Sequence, residues 1–270
     1  MMETATEKQK VHIVDSYLLN PTNPIIVNLI GAGGTGSQVL GTLAKTHTAL
    51  LELGHPGLMV RLFDDDVISH ANRGRLAFTD DEVGLHKSVV FINRVNRFFG
   101  TDWKAVTAKF DAQAIADKKE LAMAEITISC VDSVKARFDI AEILGRYKKD
   151  IQRHSPKYWI DYGNARDTGQ VLLATVGRIK QPNSQKYQTV PDMRFVTEEY
   201  GDLLRASESA DNMPSCSVAE ALGKQDLFIN PTLAQLGGSL LWQMFREGML
   251  FNKGFFHNLK TFRTQPIPVA

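Results

Sequence analysis

Ile25-Ile26-Val27-Asn28-Leu29-Ile30-Gly31-Ala32-Gly33-Gly34-Thr35-Gly36 is the stretch on which the reading of this chain turns. A short apolar run passes into a glycine loop, and a helical pattern follows from about Ser37. That order fits a strand–turn–helix unit that holds a phosphate. Gly31 permits a tight turn. Gly33 and Gly34 let backbone N–H groups approach an anion with no Cβ in the way. The start of the helix adds partial positive charge. The loop implies a bound nucleotide and leaves its identity open.

Working outward, Val39, Leu40, Leu43 and Ala44 share one face of the helix after the loop, which runs on through Leu50, Leu51 and Leu53 to Gly54. Leu58–Phe63 reads as a second strand ending at Asp64-Asp65-Asp66. The spacing of Val83, Val90, Phe91 and Val95 predicts a helix over 81–99. Residues 103–109, 126–130, 158–161 and 170–176 read as further strands, and 133–147 and 232–248 as helices. This alternation predicts an α/β fold: a Rossmann-like, doubly wound, mostly parallel sheet with helices on both faces. Ile179 to Pro214 is polar and aperiodic, and reads as a mobile or functional loop leading to Cys216.

Composition narrows the class. The chain has 270 residues, 43% of them hydrophobic, and a formal net charge of +1. Such a balance offers no global attraction for nucleic acid or a membrane surface. No apolar stretch approaches the roughly 20 residues that span a bilayer, and Met1–Lys10 lacks the apolar core of a signal peptide. The two cysteines, Cys130 and Cys216, cannot supply a four-cysteine zinc site. A reducing cytoplasm is the expected location.

Several residues could carry chemistry. Asp64 and Asp66 close the second strand, where an open α/β sheet binds ligands, and can accept from ribose hydroxyls or form a solvated turn. Arg75 and Lys87 can neutralise charge on a leaving pyrophosphate, or be ordinary surface cations. Asp132 closes the fourth strand and suits Mg²⁺ beside phosphates, or caps the next helix. Cys130 reads as a small buried hydrophobe. Cys216 precedes Ser217 and Glu220, which have capping-box spacing, and a helix start lowers a thiol pKa; it reads as a nucleophile or as an unreactive cysteine.

Together, Gly31–Gly36, Asp64-Asp65-Asp66, Asn72, Arg75, Lys87 and Cys130-Val131-Asp132 resemble the E1-like ThiF/MoeB/HesA family in order and approximate spacing. Asp161-Tyr162-Gly163-Asn164 followed by Gly169-Gln170-Val171 resembles its late strands. The resemblance implies one adenylation domain over 1–270 and ATP-dependent adenylation of the C-terminal carboxylate of a small ubiquitin-like protein ending in Gly. It implies that Gly31, Gly33, Gly34 and Gly36 line the nucleotide, with Asp64 and Asp66 at the ribose. Asn72, Arg75 and Lys87 then contact phosphates, Asp132 holds Mg²⁺, and the protein is a homodimer. Pro214-Ser215-Cys216-Ser217 also resembles the Pro-x-Cys-Thr motif of eukaryotic E1 enzymes, which implies a thioester at Cys216. An adenylation-only enzyme feeding sulfur transfer, an NAD-dependent oxidoreductase and a nucleotide-gated scaffold are the competing readings. Three departures from the family stand out. Paired Cys-x-x-Cys motifs are absent, so no structural zinc is expected. Residues 1–24 hold no arginine to donate across a dimer, which leaves Lys8, Lys10 or Arg73 as replacements. Thr46–Pro56 lengthens the first helix and its exit.

Overall fold

The computed structural model describes residues 8–72, 76–150, 154–208 and 225–270. Arg73, Arg75 and Cys216 lie outside them.

Among these residues an eight-stranded sheet runs in the order β11 (Arg263–Pro268), β10 (Asn252–Asn258), β7 (Thr168–Thr175), β6 (Tyr158–Asn164), β5 (Ile126–Ser129), β2 (Ile25–Ile30), β3 (Leu58–Phe63), β4 (Lys104–Val106). β6, β5, β2, β3 and β4 are parallel neighbours. β7, β10 and β11 continue the sheet antiparallel. From β2 the chain winds out through β3 to β4, then returns to β5 and β6 on the other side. Strand order reverses between β2 and β5, and ligands bind an open sheet at that point. β2 reads as an almost unbroken apolar run because parallel inner strands are covered on both faces.

α2 (Gly34–Glu52) and α8 (Ile229–Glu247) cover one face of the sheet, with Ile92 of α3 (Lys87–Phe99). α4 (Ala112–Asp117) and α5 (Val134–Gly145) cover the other. A smaller sheet, in the order β8 (Gln188–Thr189), β1 (Lys10–Ile13), β9 (Met249–Leu250), sits at the starting edge of the strands. There His12 Nε2 lies 2.9 Å from the Tyr158 hydroxyl at the beginning of β6. Lys10, a candidate stand-in for the missing arginine, therefore opens a strand at the edge opposite the glycine loop of its own chain. No helix among the described residues is long and apolar enough to cross a membrane.

The structure departs from the pattern-based boundaries where backbone chemistry overrides periodicity. α2 starts at Gly34 rather than near Ser37, because first-turn N–H groups need no helical partner and glycine is tolerated there. The predicted helix over 81–99 begins only at Lys87. Asp80–Glu82 is a separate 3-10 turn, and Gly84 at φ 90° breaks the helical path. The strand predicted over 103–109 shortens to Lys104–Val106; Trp103 instead donates its Nε1–H to the Leu58 carbonyl at 3.0 Å. The lengthened exit of α2 has a role. His47 Nδ1 accepts from the Leu58 N–H (2.9 Å) and His55 Nδ1 from the Gly57 N–H (3.0 Å), so both histidines set the start of β3. Within 179–208, Ile179, Val190, Met193, Phe195 and Val196 are buried, and α6 (Val196–Glu199) and α7 (Gly201–Glu208) pack on α5.

α8 docks through two glycines. A Cβ on Gly237 would overlap the buried Tyr162 ring, and one on Gly238 would overlap Thr42 of α2. Overpacking of this kind costs about 1–3 kcal/mol. Gly237→Ala should lower the urea midpoint accordingly. Gly41, where a Cβ meets nothing within 4 Å, is the control: Gly41→Ala should raise it through helix propensity by up to about 1 kcal/mol.

Candidate active site

The glycine loop is fixed between the ends of β3 and β5. The Gly31 N–H donates to the Phe63 carbonyl and the Cys130 N–H to the Ile30 carbonyl, each at 2.8 Å. Gly31 has φ 96°, and a Cβ there would stand 2.7 Å from the Cys130 oxygen. A Cβ on Gly36 would overlap the Gly31 carbonyl. Gly33 is different: a Cβ would meet nothing within 4 Å. Its bareness leaves space in front of α2, whose start has no side-chain cap. Uncapped N–H groups facing open space form an anion site.

Asp64 leaves β3 and turns back to the loop. Its Oδ2 accepts from the Ala32 N–H at 2.6 Å and its Oδ1 from the Asp66 N–H at 3.1 Å. A carboxylate has further lone pairs, so ribose hydroxyls can still donate to it. Burial raises the Asp64 pKa, against the Ala32 hydrogen bond and the Lys87 charge, which lower it. Lys87 is the first residue of α3. Its side chain is 10% exposed, and its ammonium sits 2.6 Å from Asp66 Oδ2. Asp66 therefore holds the lysine charge at the cavity. Asn72 accepts at Oδ1 from the Ser69 N–H (2.9 Å) and hydroxyl (3.1 Å), which leaves Nδ2, among the described residues, to donate to a ligand. Ile68, Leu76, Phe78 and Val90 form the small core beneath this segment.

Asp132 follows β5. The capping role open to it from sequence falls to Ser133, whose Oγ accepts from the Ala136 N–H at 3.2 Å. Asp132 is left exposed on the cavity wall. Among the described residues no group of three or more His, Cys, Asp or Glu gathers as a metal cage. One free carboxylate still fits Mg²⁺, which keeps waters and takes most other ligands from phosphates. Cys130 is a poor nucleophile, because burial, and then the nearby Asp161 charge, push its thiol well above the usual range.

Gly31, Gly33, Gly34, Asp64, Asp66, Asn72, Lys87 and Asp132 thus line one cavity of about 1320 Å³. Gly36 lies just behind the wall. Sequence reasoning missed Arg137 on the same wall. Its Nε donates to both Asp161 oxygens (3.2 and 3.1 Å), and its Nη2 to the Val131 (2.8 Å) and Tyr162 (3.1 Å) carbonyls. The Ser129 hydroxyl donates to Asp161 at 2.6 Å, and Trp159 Nε1–H donates to Ser129 Oγ at 2.7 Å. The available signal was a charged residue at a helical position flanked by apolar ones.

Residues 23–263 match the ThiF family, and the chain belongs to it. PaaA aligns with a TM-score of 0.56 at 12% identity, over 94% of this chain and 74% of PaaA. Escherichia coli MccB solved with ATP aligns with a TM-score of 0.56 at 16% identity, over 94% of this chain and 65% of MccB. MccB with MccA gives a TM-score of 0.58 at 16% identity, over 94% and 65% of the two chains. This chain therefore spans slightly under two-thirds of MccB. Curated protein sequences give no significant match.

The glycines separate folding from binding. Gly36→Ala should lower the melting temperature and abolish nucleotide binding together. Gly33→Ala should cost at most about 1 kcal/mol of stability while weakening Mg-ATP binding, read by calorimetry. The raised Asp64 pKa means that its charge is lost earlier than usual on acidification. Mg-ATP affinity should fall as pH drops through that pKa, and Asp64→Asn should flatten this dependence.

Proposed function

We propose that this protein uses ATP and Mg²⁺ to adenylate the C-terminal carboxylate of a small ubiquitin-like protein ending in Gly, acting as a cytoplasmic homodimer. The observation that carries the reading is the placing of Lys87, held by Asp66, and the free carboxylate of Asp132 on one cavity wall with the uncapped start of α2. A dinucleotide left intact needs neither. Membership of the ThiF family and the ATP-bound MccB neighbour support ATP as the nucleotide.

In this reading a carboxylate oxygen of the partner attacks the α-phosphorus. A new P–O bond forms as the bond to the bridging oxygen breaks, and pyrophosphate leaves. The N–H groups at the start of α2 and the Lys87 ammonium hold phosphate oxygens, and the preorganised charge of Lys87 stabilises the leaving group. Arg75, five residues before the 3-10 turn Asp80–Glu82 in sequence, adds a second cation in the same role. Asp64 orients the ribose. Asp132 would hold Mg²⁺, which supplies charge neutralisation between the phosphates when bound.

The Cys216 thiol gives its proton to solvent and its thiolate then takes the acyl group: a C–S bond forms as the acyl C–O bond to the phosphate breaks, AMP leaves, and a thioester results. Leu203 and Leu204 on one side of 209–224, and Gln225 on the other, line the cavity, which supports delivery of Cys216 to it. Adenylation alone, with sulfur transfer elsewhere, is the second reading.

Partner-dependent ATP–pyrophosphate exchange tests the first step. Lys87→Ala and Asp132→Ala should each lower exchange about 100-fold or more. Exchange unchanged in both variants would remove the assignment. Cys216→Ala should keep exchange and lose a reductant-sensitive adduct with the partner, whereas Cys130→Ser should keep both. An adduct surviving in Cys216→Ala would overturn the assignment of Cys216 as nucleophile, and the absence of any such adduct in the unaltered protein would leave adenylation alone.

A further inference from the structure

The start of α8 reaches the cavity beside the glycine loop, where Thr35, Gln225 and Asn230 all line the wall. Thr35 is the second residue of α2 and is buried. Its hydroxyl donates to Asn230 Oδ1 at 2.9 Å. Asn230, the second residue of α8, donates from Nδ2 to Gln225 Oε1 at 3.0 Å. The three side chains form a hydrogen-bonded row that ends in the first turn of α2. The row is held from behind. Ile229 is fully buried, the Asp226 N–H donates to the Arg166 carbonyl at 2.7 Å, and Asp226 Oδ1 accepts from the Phe228 N–H at 2.8 Å. A polar side chain carried to the glycine loop by a distant helix is placed by the fold and not by local capping.

We propose that Asn230 is a positioning residue for ATP binding: its amide, turned together with that of Gln225, releases the Thr35 hydroxyl to a phosphate oxygen. This rests on the adenylation reading, which puts a nucleotide's phosphates in front of α2. A primary amide has an accepting end and a donating end of nearly equal size, so it reverses without repacking. With Asn230 Oδ1 towards Thr35, the threonine proton is taken up and Thr35 Oγ1 can only accept. A phosphate oxygen also accepts, so the two oxygens would repel. With both amides reversed, Gln225 Nε2 donates to Asn230 Oδ1, and Asn230 Nδ2 donates to Thr35 Oγ1. The Thr35 proton is then free. Either direction holds the same two hydrogen bonds within the row. The reversed one adds a third, to an anion, and charge-assisted bonds are about twice as strong as neutral ones. An arriving phosphate therefore selects the reversed row. Gly33 keeps the approach open, since nothing lies within 4 Å of where its Cβ would stand.

Calorimetry of Mg-ATP and of adenosine binding at about pH 8, where an aspartate is ionised, tests this. Thr35→Val keeps the side-chain shape and should weaken Mg-ATP about tenfold or more. Adenosine, which has no phosphate, should bind unchanged. Thr35→Ser keeps the hydroxyl and should bind Mg-ATP as the unaltered protein does. An ionised Asn230→Asp can only accept, so it retains the Thr35 proton. It also adds a charge, which repels phosphate whether or not a hydroxyl is present. A double-mutant cycle separates the two effects. Asn230→Asp should weaken Mg-ATP about tenfold more in the unaltered background than in the Thr35→Val background. Equal weakening in both backgrounds would overturn the role of Asn230. Mg-ATP affinity unchanged in Thr35→Val, or lost together with adenosine binding, would overturn the Thr35 contact and leave adenylation standing. An unaltered protein that binds Mg-ATP no more tightly than adenosine would overturn the proposal and count against the adenylation reading itself.

Discussion

Gly36 presses the first turn of α2 against the Gly31 carbonyl, with no room for a side chain between them. The site depends on that approach. It fixes where α2 points, and so where its uncapped N–H groups aim. With the loop seated between β3 and β5, the Ala32 N–H falls within 2.6 Å of Asp64. Asp64 in turn fixes the acidic turn through the Asp66 N–H, and Asp66 holds Lys87. The loop backbone, the Asp64 carboxylate and the Lys87 ammonium form one mechanical series.

A second constraint holds the strand ends beside the loop. Arg137 and Asp161 are buried and almost fully hydrogen-bonded, and Ser129 and Trp159 complete the chain across β5 and β6. A buried ion pair adds little net stability over an apolar substitute, but losing one partner leaves a bare charge and costs about 3–5 kcal/mol. Its effect here is positional. It ties α5 to β6, and Asp132 leaves β5 just before α5 begins.

The parallel half of the fold was legible in the sequence because its strands are covered on both faces and end in acidic turns. β2, β3 and β5 are short apolar runs, each followed by a polar group placed for a ligand, so Asp64 and Asp132 could be read as site residues. Lys87 was legible only through family spacing, since one lysine near a helix start has no local signature. The C-terminal hairpin was not legible. β11 is an exposed edge strand with Pro266 and Pro268, which resist further pairing and hide the alternation expected of a strand. The start of α3 was misread because Asp81, Glu82 and Val83 continue a helical spacing that only the backbone of Gly84 interrupts. The Arg137–Asp161 pair escaped because burial, which makes it informative, is a tertiary fact.

The change from parallel to antiparallel strands has an electrical consequence. Parallel connections return through helices whose amino ends all reach the same edge; α2, α3 and α5 each place first-turn residues on the cavity wall, and α8 adds Asn230. β6–β7 and β10–β11 are joined instead by tight turns at that edge, and turns carry no macrodipole. One half of the cavity therefore receives the positive ends of three sheet-connecting helices, whereas in the other half the sheet adds none and only the short α6 and α7 begin. A polyanion entering the opening is drawn towards the first half before making any specific contact.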